Sequence, residues 1–130
     1  MIKEITNIYK KYNGKRLADN GSVVSKEYKS FQNAFVRTLK AIAEIEDASV
    51  VKVTKGHYFV SAFIERNGKY AYVYYGGIDR TFIDFTGTKR TIYCRFAKSD
   101  NDFTGGINRF CSLENLPYCI NSILSNENLC

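Results

Sequence analysis

"HYFVSAFIERNGKYAYVYYGG", His57 to Gly77, decides the fold. Two runs rich in β-branched and aromatic residues, His57–Arg66 and Lys69–Gly77, are joined by Asn67-Gly68. Asn-Gly readily places two consecutive residues at positive φ, the requirement of a tight hairpin turn. A β-hairpin is therefore expected, with side chains alternating between two faces. In its second strand Tyr70, Tyr72 and Tyr74 share one face, and Ala71, Val73 and Tyr75 share the other. The small-residue face suits a helix. The tyrosine face is then left to solvent, to a groove or to another subunit.

Outward from the hairpin, "SVVKVTK" (Ser49–Lys55) and "TIYCRFAK" (Thr91–Lys98) read as flanking strands. Upstream, Tyr28, Phe31, Phe35, Leu39 and Ile42 recur at steps of three and four, with Ala34, Val36 and Ala43 widening the stripe. That spacing predicts an amphipathic helix from about Lys26 to Glu46, with Ser25 as its cap. Residues 1–12 carry Ile2, Ile5 and Ile8 at three-residue spacing and read as a helix or an edge strand. Asn13-Gly14 and Asn20-Gly21 mark turns, so residues 1–24 are expected to form an N-terminal arm or hairpin. Downstream, Ser112 caps a short helix over Leu113–Leu124, disturbed or restarted at Pro117. Residues 25–124 form the core, and 125–130 form a frayed tail. The expectation is a single α+β domain over residues 1–130: one long helix on an antiparallel sheet of four to five strands, closed by a short C-terminal helix.

Composition narrows the function classes. No apolar run approaches the ~18 residues of a membrane span, and no secretory signal is visible at the N-terminus. Cys94, Cys111, Cys119 and Cys130 lack Cys-x-x-Cys spacing and have one histidine for company. That argues against zinc and against a disulfide framework, and points to reduced thiols in a cytoplasm. The chain has 19 Lys+Arg against 13 Asp+Glu, a formal charge of +6, with ten Tyr and nine Phe. Positive charge draws phosphates and aromatic faces stack bases, although most aromatic residues in a small domain serve its core.

No enzymatic signature is present: there is no Walker loop, GxGxxG or GxSxG, and no Asp-x-Asp-x-Asp-Gly for a cation. His57 has no evident partner to make it a general base and reads as a turn or ligand-contact residue. Glu65 and Arg66 flank the hairpin as solvated charges. Arg95, inside "IYCRFA", is the informative cation. An arginine in a strand interior is either paired or solvent-facing, and its fork grips a phosphate with two parallel hydrogen bonds. By parity it shares a face with Tyr93 and Ala97. Beyond it, "AKSDNDFTGGINRF" (Ala97–Phe110) brings Thr104, Gly105, Gly106, Asn108 and Arg109. This stretch reads either as a ligand loop or as a plain turn. The loop "GGIDRTF" offers Asp79, Arg80 and Phe82 to the same region.

The order of a helix, "KGHYFVSAFI", a tyrosine-rich strand and "IYCRFAKSDNDFTGGINRF" resembles a group of small phage and mobile-element proteins, the Thoeris anti-defence sponges that sequester cyclic ADP-ribose signals. The resemblance runs roughly from Tyr28 to Leu116. It implies an α+β fold, an oligomer built on dimers, and a ligand held in the host cytoplasm without being degraded and without a cofactor. Sites of that family use arginines with a stacking aromatic, which Arg95, Arg109 and Phe82 match in kind. On this reading Arg95 and Arg109 hold a pyrophosphate, Phe82 or Tyr93 stacks on adenine, and Asp79 or Asn108 meets a ribose or base edge. The alternative is a protein–protein inhibitor of a host nuclease or CRISPR effector that uses the tyrosine face. A small nucleic-acid binder is a third reading.

Overall fold

The computed structural model describes residues 2–15, 26–76, 83–86 and 90–125. Among these described residues, three helices and five strands follow in the order α1 (Lys3–Tyr12), α2 (Lys26–Ile45), β1 (Ser49–Lys55), β2 (Phe59–Arg66), β3 (Lys69–Gly76), β4 (Ile92–Ala97), β5 (Arg109–Phe110) and α3 (Leu116–Ser125). The strands form one antiparallel sheet in sequence order, β1 to β5. The fold is thus α+β, with a long helix, a five-stranded sheet and a short C-terminal helix, as the sequence predicts.

The hairpin pairs Arg66 with Lys69, and Asn67 and Gly68 both take positive φ (53° and 80°), as a type I′ turn requires. Alternation then holds across the sheet. Ala71, Val73 and Tyr75 are fully buried on one face, joined by Val60, Ala62 and Ile64 of β2 and by Ile92 and Cys94 of β4. Helices α2 and α3 pack on this face, and α1 packs on α2 and joins the same core.

Helix α2 buries Tyr28, Phe31, Phe35, Leu39 and Ile42 as its spacing predicts, and its burial is wider than one stripe because α1 packs against it as well. Gln32 is buried as well. Its Nε2 donates to the carbonyl oxygens of Gly56 (2.8 Å) and Phe59 (2.9 Å), tying the helix to the β1–β2 turn. The helix ends where Asp47 turns to φ 54° and Ala48 N–H reaches back to the Ala43 carbonyl, a Schellman closure. The expected cap, Ser25, lies outside the described residues, as does most of the 13–24 segment.

Residues 3–12 are helical, and the isoleucine stripe continues through Ile5 and Ile8 to Tyr12, whose hydroxyl pairs with Ser30 (2.7 Å). Much of the aromatic excess is spent in this core. Phe31 lies 4.9 Å from Tyr75 and 5.8 Å from Phe85, ring centre to ring centre. Two sequence expectations change. Residues 113–115 form a turn, with Ser112 Oγ accepting from Asn115 N–H, so α3 starts at Leu116. Pro117 then sits in the first helical turn, where no amide donor is needed, and starts the helix without interrupting it. Arg66 is not a solvated charge: it donates to the Glu46 carbonyl (2.8 Å), Asn121 Oδ1 (3.1 Å) and Ser125 Oγ (2.8 Å), joining α2 to α3.

Candidate functional site

The helix-free face of the sheet carries Phe59, Ser61 and Phe63 from β2, Tyr70, Tyr72 and Tyr74 from β3, Tyr93, Arg95 and Ala97 from β4, and Phe110 from β5. This face has a closed half and an open half.

The closed half is a second small core of Phe63, Tyr72 and Ala97, with Tyr70, Tyr74 and Tyr93 packed around it. The chain after β4 folds back over it and sets Phe103 against Phe63 (5.1 Å) and Tyr72 (5.9 Å). Arg95 holds this fold-back in place. It is only 2% exposed, its guanidinium lies 4.6 Å over the Tyr72 ring, and it donates to the carbonyl oxygens of Phe96 (3.1 Å) and Asp102. The Asp102 carboxylate stands 3.8 Å away and accepts from Lys98 N–H (3.0 Å) and Gly105 N–H (2.9 Å). Backbone hydrogen bonds, led by Lys98 and followed by Gly105, hold the Asp102 carboxyl below the usual carboxylate range, with Arg95 adding to them.

The double glycine has a local cause. Gly106 takes φ 80°, and a Cβ there would stand 2.6 Å from the Phe96 carbonyl oxygen. The stretch from Lys98 to Gly106 is thus a clasp on its own strand. Arg95 is its centre, and the expected outward phosphate grip is corrected: the side chain is buried and committed. Arg109 corrects the same expectation a second way. It pairs with Cys94, whose side chain points into the helix-side core, so Arg109 and Arg95 lie on opposite faces of the sheet. One pyrophosphate cannot bridge them.

The open half is a row of rings at the end of the sheet where β2 and β4 begin. Phe59 stacks on Tyr74 (5.4 Å, 12° between planes), Tyr74 on Tyr93 (4.9 Å, 17°), and Phe110 meets Tyr93 edge-on (5.6 Å, 70°). Register explains the row: Tyr74 faces Tyr93, and Tyr93 faces Phe110, across adjacent strands. Its members are half-buried, and Phe110 is 43% exposed. Arg90 places its guanidinium 5.5 Å over the Phe110 ring. The Tyr93 phenol is pushed up to about 12 by burial, and then by Tyr72 and Tyr74, against the pull of Arg95. Burial also raises Tyr74. Both phenols remain neutral, able to donate and accept, at physiological pH.

Of the sequence-predicted residues, Tyr93 lies in this row, and His57 is exposed in the turn that leads into Phe59. Thr104, Gly105 and Gly106 belong to the clasp, and Asn108 to its exit just before β5. Asp79, Arg80 and Phe82 lie outside the described residues. Sequence reasoning missed Phe59, Phe110 and Arg90. The parity that grouped Tyr70, Tyr72 and Tyr74 extends to Phe59 and Phe63 once the hairpin register is drawn. Phe110 carried no such signal, because β5 has two residues and no periodicity to read.

Chemically, the row offers π-faces, neutral phenols and one guanidinium. Among the described residues no group of three or more His, Cys, Asp or Glu is arranged to hold a metal, and no helix is long and apolar enough to cross a membrane. Comparison with protein-family models, with curated proteins and with solved structures gave no match to this chain.

Proposed function

We propose that this chain is a non-catalytic binding protein that holds a nucleobase-bearing anion against the aromatic row, as a sponge for a cyclic nucleotide signal. The observation that carries the reading is the half-exposed run Phe59–Tyr74–Tyr93–Phe110 with a guanidinium over its outer ring. Contiguous aromatic surface left open on a small domain marks a contact site, and bases stack on such surfaces whatever their sequence. Arg90 supplies a cation for phosphate at the edge of the row, and the net charge of +6 favours an anion. The sequence resemblance names the ligand class: a cyclic ADP-ribose type signal, bound during phage infection and released unchanged. In that class the working unit is a dimer or a larger oligomer.

Native mass spectrometry with a panel of cyclic and linear adenine nucleotides tests this. A sponge gains the mass of one ligand per site and returns it intact on denaturation. Hydrolysis that scales with protein concentration overturns the reading. A second reading has its own support: Ile107 (72% exposed) and Tyr118 (76%) are large apolar side chains open to a protein partner. A protein-directed inhibitor gains no mass from any nucleotide.

A further inference from the structure

Register alone would not bring Phe59 onto Tyr74. Tyr74 stands directly opposite Ser61, and Phe59 directly opposite Gly76, so Phe59 and Tyr74 are only diagonal neighbours. Diagonal neighbours start roughly 7–8 Å apart. These two rings are 5.4 Å apart, centre to centre, with 12° between their planes. Gly76 closes the gap. A Cβ there would project onto the helix-free face, beside Tyr74. It would run into the Tyr74 ring at Cε1, at Cζ (2.6 Å) and at the hydroxyl oxygen (2.5 Å). Tyr74 therefore lays its ring over Gly76, and so beside Phe59. The Phe59 ring leans over Gly56 in the same way, where a Cβ would meet its Cε1, Cδ1 and Cζ (2.7 Å).

Neither glycine is required by its backbone. Both lack the positive φ of Gly14, Gly68 and Gly106. Their amides make hydrogen bonds open to most residues: Gly76 N–H donates to the Thr91 carbonyl (2.9 Å), and Gly56 N–H to the Phe59 carbonyl (2.9 Å). A glycine in a strand weakens it. Opposite Tyr74, the Ser61 hydroxyl is buried with no hydrogen-bond partner among the described residues, which is a further cost. Neighbouring positions on one patch thus give up stability, as positions kept for binding do.

We infer that Gly76 and Gly56 are positioning residues of the binding site: bare backbone beneath Tyr74 and Phe59 lets the two rings lie together as one fixed stacking surface before a ligand arrives. The inference rests on the reading of the aromatic row as a nucleotide site. Rings fixed in advance lose little freedom when a base settles on them, so the assembled stack binds more tightly than the same rings standing apart. A methyl group at position 76 has an easy way out, since the atoms it meets are the far end of the Tyr74 side chain and not backbone. It swings the ring off Phe59 and leaves the helix-side core untouched.

Gly76→Ala in the full chain tests this with three readouts. Calorimetric titration of cyclic ADP-ribose should show affinity lower by about fivefold or more, the share of one stacking face. The melting temperature should move by less than about 3 °C, as for other surface substitutions. Ring-proton NMR on protein with labelled tyrosine should show the Tyr74 signals, assigned by their loss in Tyr74→Phe, moving downfield as shielding by Phe59 is lost. The three atoms nearest the added Cβ all belong to Tyr74. In a Tyr74→Ala background, Gly76→Ala should therefore leave affinity unchanged and raise the melting temperature, because alanine restricts the unfolded chain without straining the fold. Gly56→Ala should displace Phe59 and weaken binding in the same manner. A wild type that ignores the nucleotide while Gly76→Ala moves the ring signals defeats the nucleotide reading alone. Tyr74 signals that stay in place in folded Gly76→Ala defeat this inference alone. Rings that move with affinity unchanged, or a melting temperature that falls alike with and without Tyr74, would overturn it as well.

Discussion

Replacing Arg95 with alanine separates a structural arginine from a ligand-binding one. The substitution removes the bonds to the Phe96 and Asp102 carbonyls, the ion pair with Asp102 and the contact with the Tyr72 ring. Removing one partner of a buried charge pair costs about 3–5 kcal/mol when the other charge is stranded. Asp102 is not wholly stranded, because its side chain is 17% exposed and keeps two backbone donors, so the lower end, about 3 kcal/mol, applies. Unfolding entropy of roughly 2.1 cal/mol/K per residue gives about 0.27 kcal/mol/K for 130 residues, so the melting temperature should fall by about 11 °C. A surface truncation of about 0.5 kcal/mol would move it by only about 2 °C. Lysine should not rescue, since one ammonium cannot reproduce a planar fork that lies on a ring while meeting two carbonyls. Reversible thermal melting by circular dichroism reads the result. A fall of less than about 4 °C, or nucleotide binding abolished in a protein that melts normally, would refute the structural assignment.

Gly106→Ala should cost more than the roughly 1–2 kcal/mol of a left-handed alanine, because its Cβ also meets the Phe96 carbonyl. Gly68→Ala, with a like φ and open space around it, should cost only the left-handed share; equal losses in urea unfolding would contradict the clasp. Because the folded Tyr93 phenol titrates near 12 and an unfolded one near 10, its contribution is fully present below about pH 10 and is lost as pH rises toward 12. Tyr93→Phe should therefore lose less stability than the wild type between pH 9.5 and about 11.5; identical urea midpoints at both pH values would contradict the burial of that ring. Light scattering at micromolar concentration should return at least twice the 14.9 kDa of one chain, and a single-chain mass would sink the oligomer.

The layers of this fold were legible because each has a period. The α2 stripe, the Asn67-Gly68 hairpin and the split of Tyr70, Tyr72 and Tyr74 from Ala71, Val73 and Tyr75 follow from spacing alone. β5 was not legible, since two residues have no period and its pairing depends on where the clasp returns the chain. Arg95 shows why the site was harder. Parity put it on the correct face, but a tertiary event, the fold-back that lays Phe103 over Tyr72 and Asp102 against the guanidinium, decides whether that face is wet. Asp102 to Gly105 is the spacing of a side chain capping a turn, a local signal that favoured a clasp over a ligand loop. The grouping of Arg95 with Arg109 failed on register. Only the Cys94–Arg109 pairing reveals that the two arginines face apart.

The most direct test of the account is calorimetric titration of a cyclic ADP-ribose type nucleotide into wild type, Tyr93→Ala and Phe110→Ala. The wild type should bind and return the nucleotide unchanged. Loss of one stacking face should weaken binding by roughly 5- to 150-fold, the equivalent of about 1–3 kcal/mol per base, in proteins that still melt cooperatively. Binding that ignores both substitutions, or no binding of any adenine nucleotide by the wild type, would contradict the assignment of the aromatic row as the site.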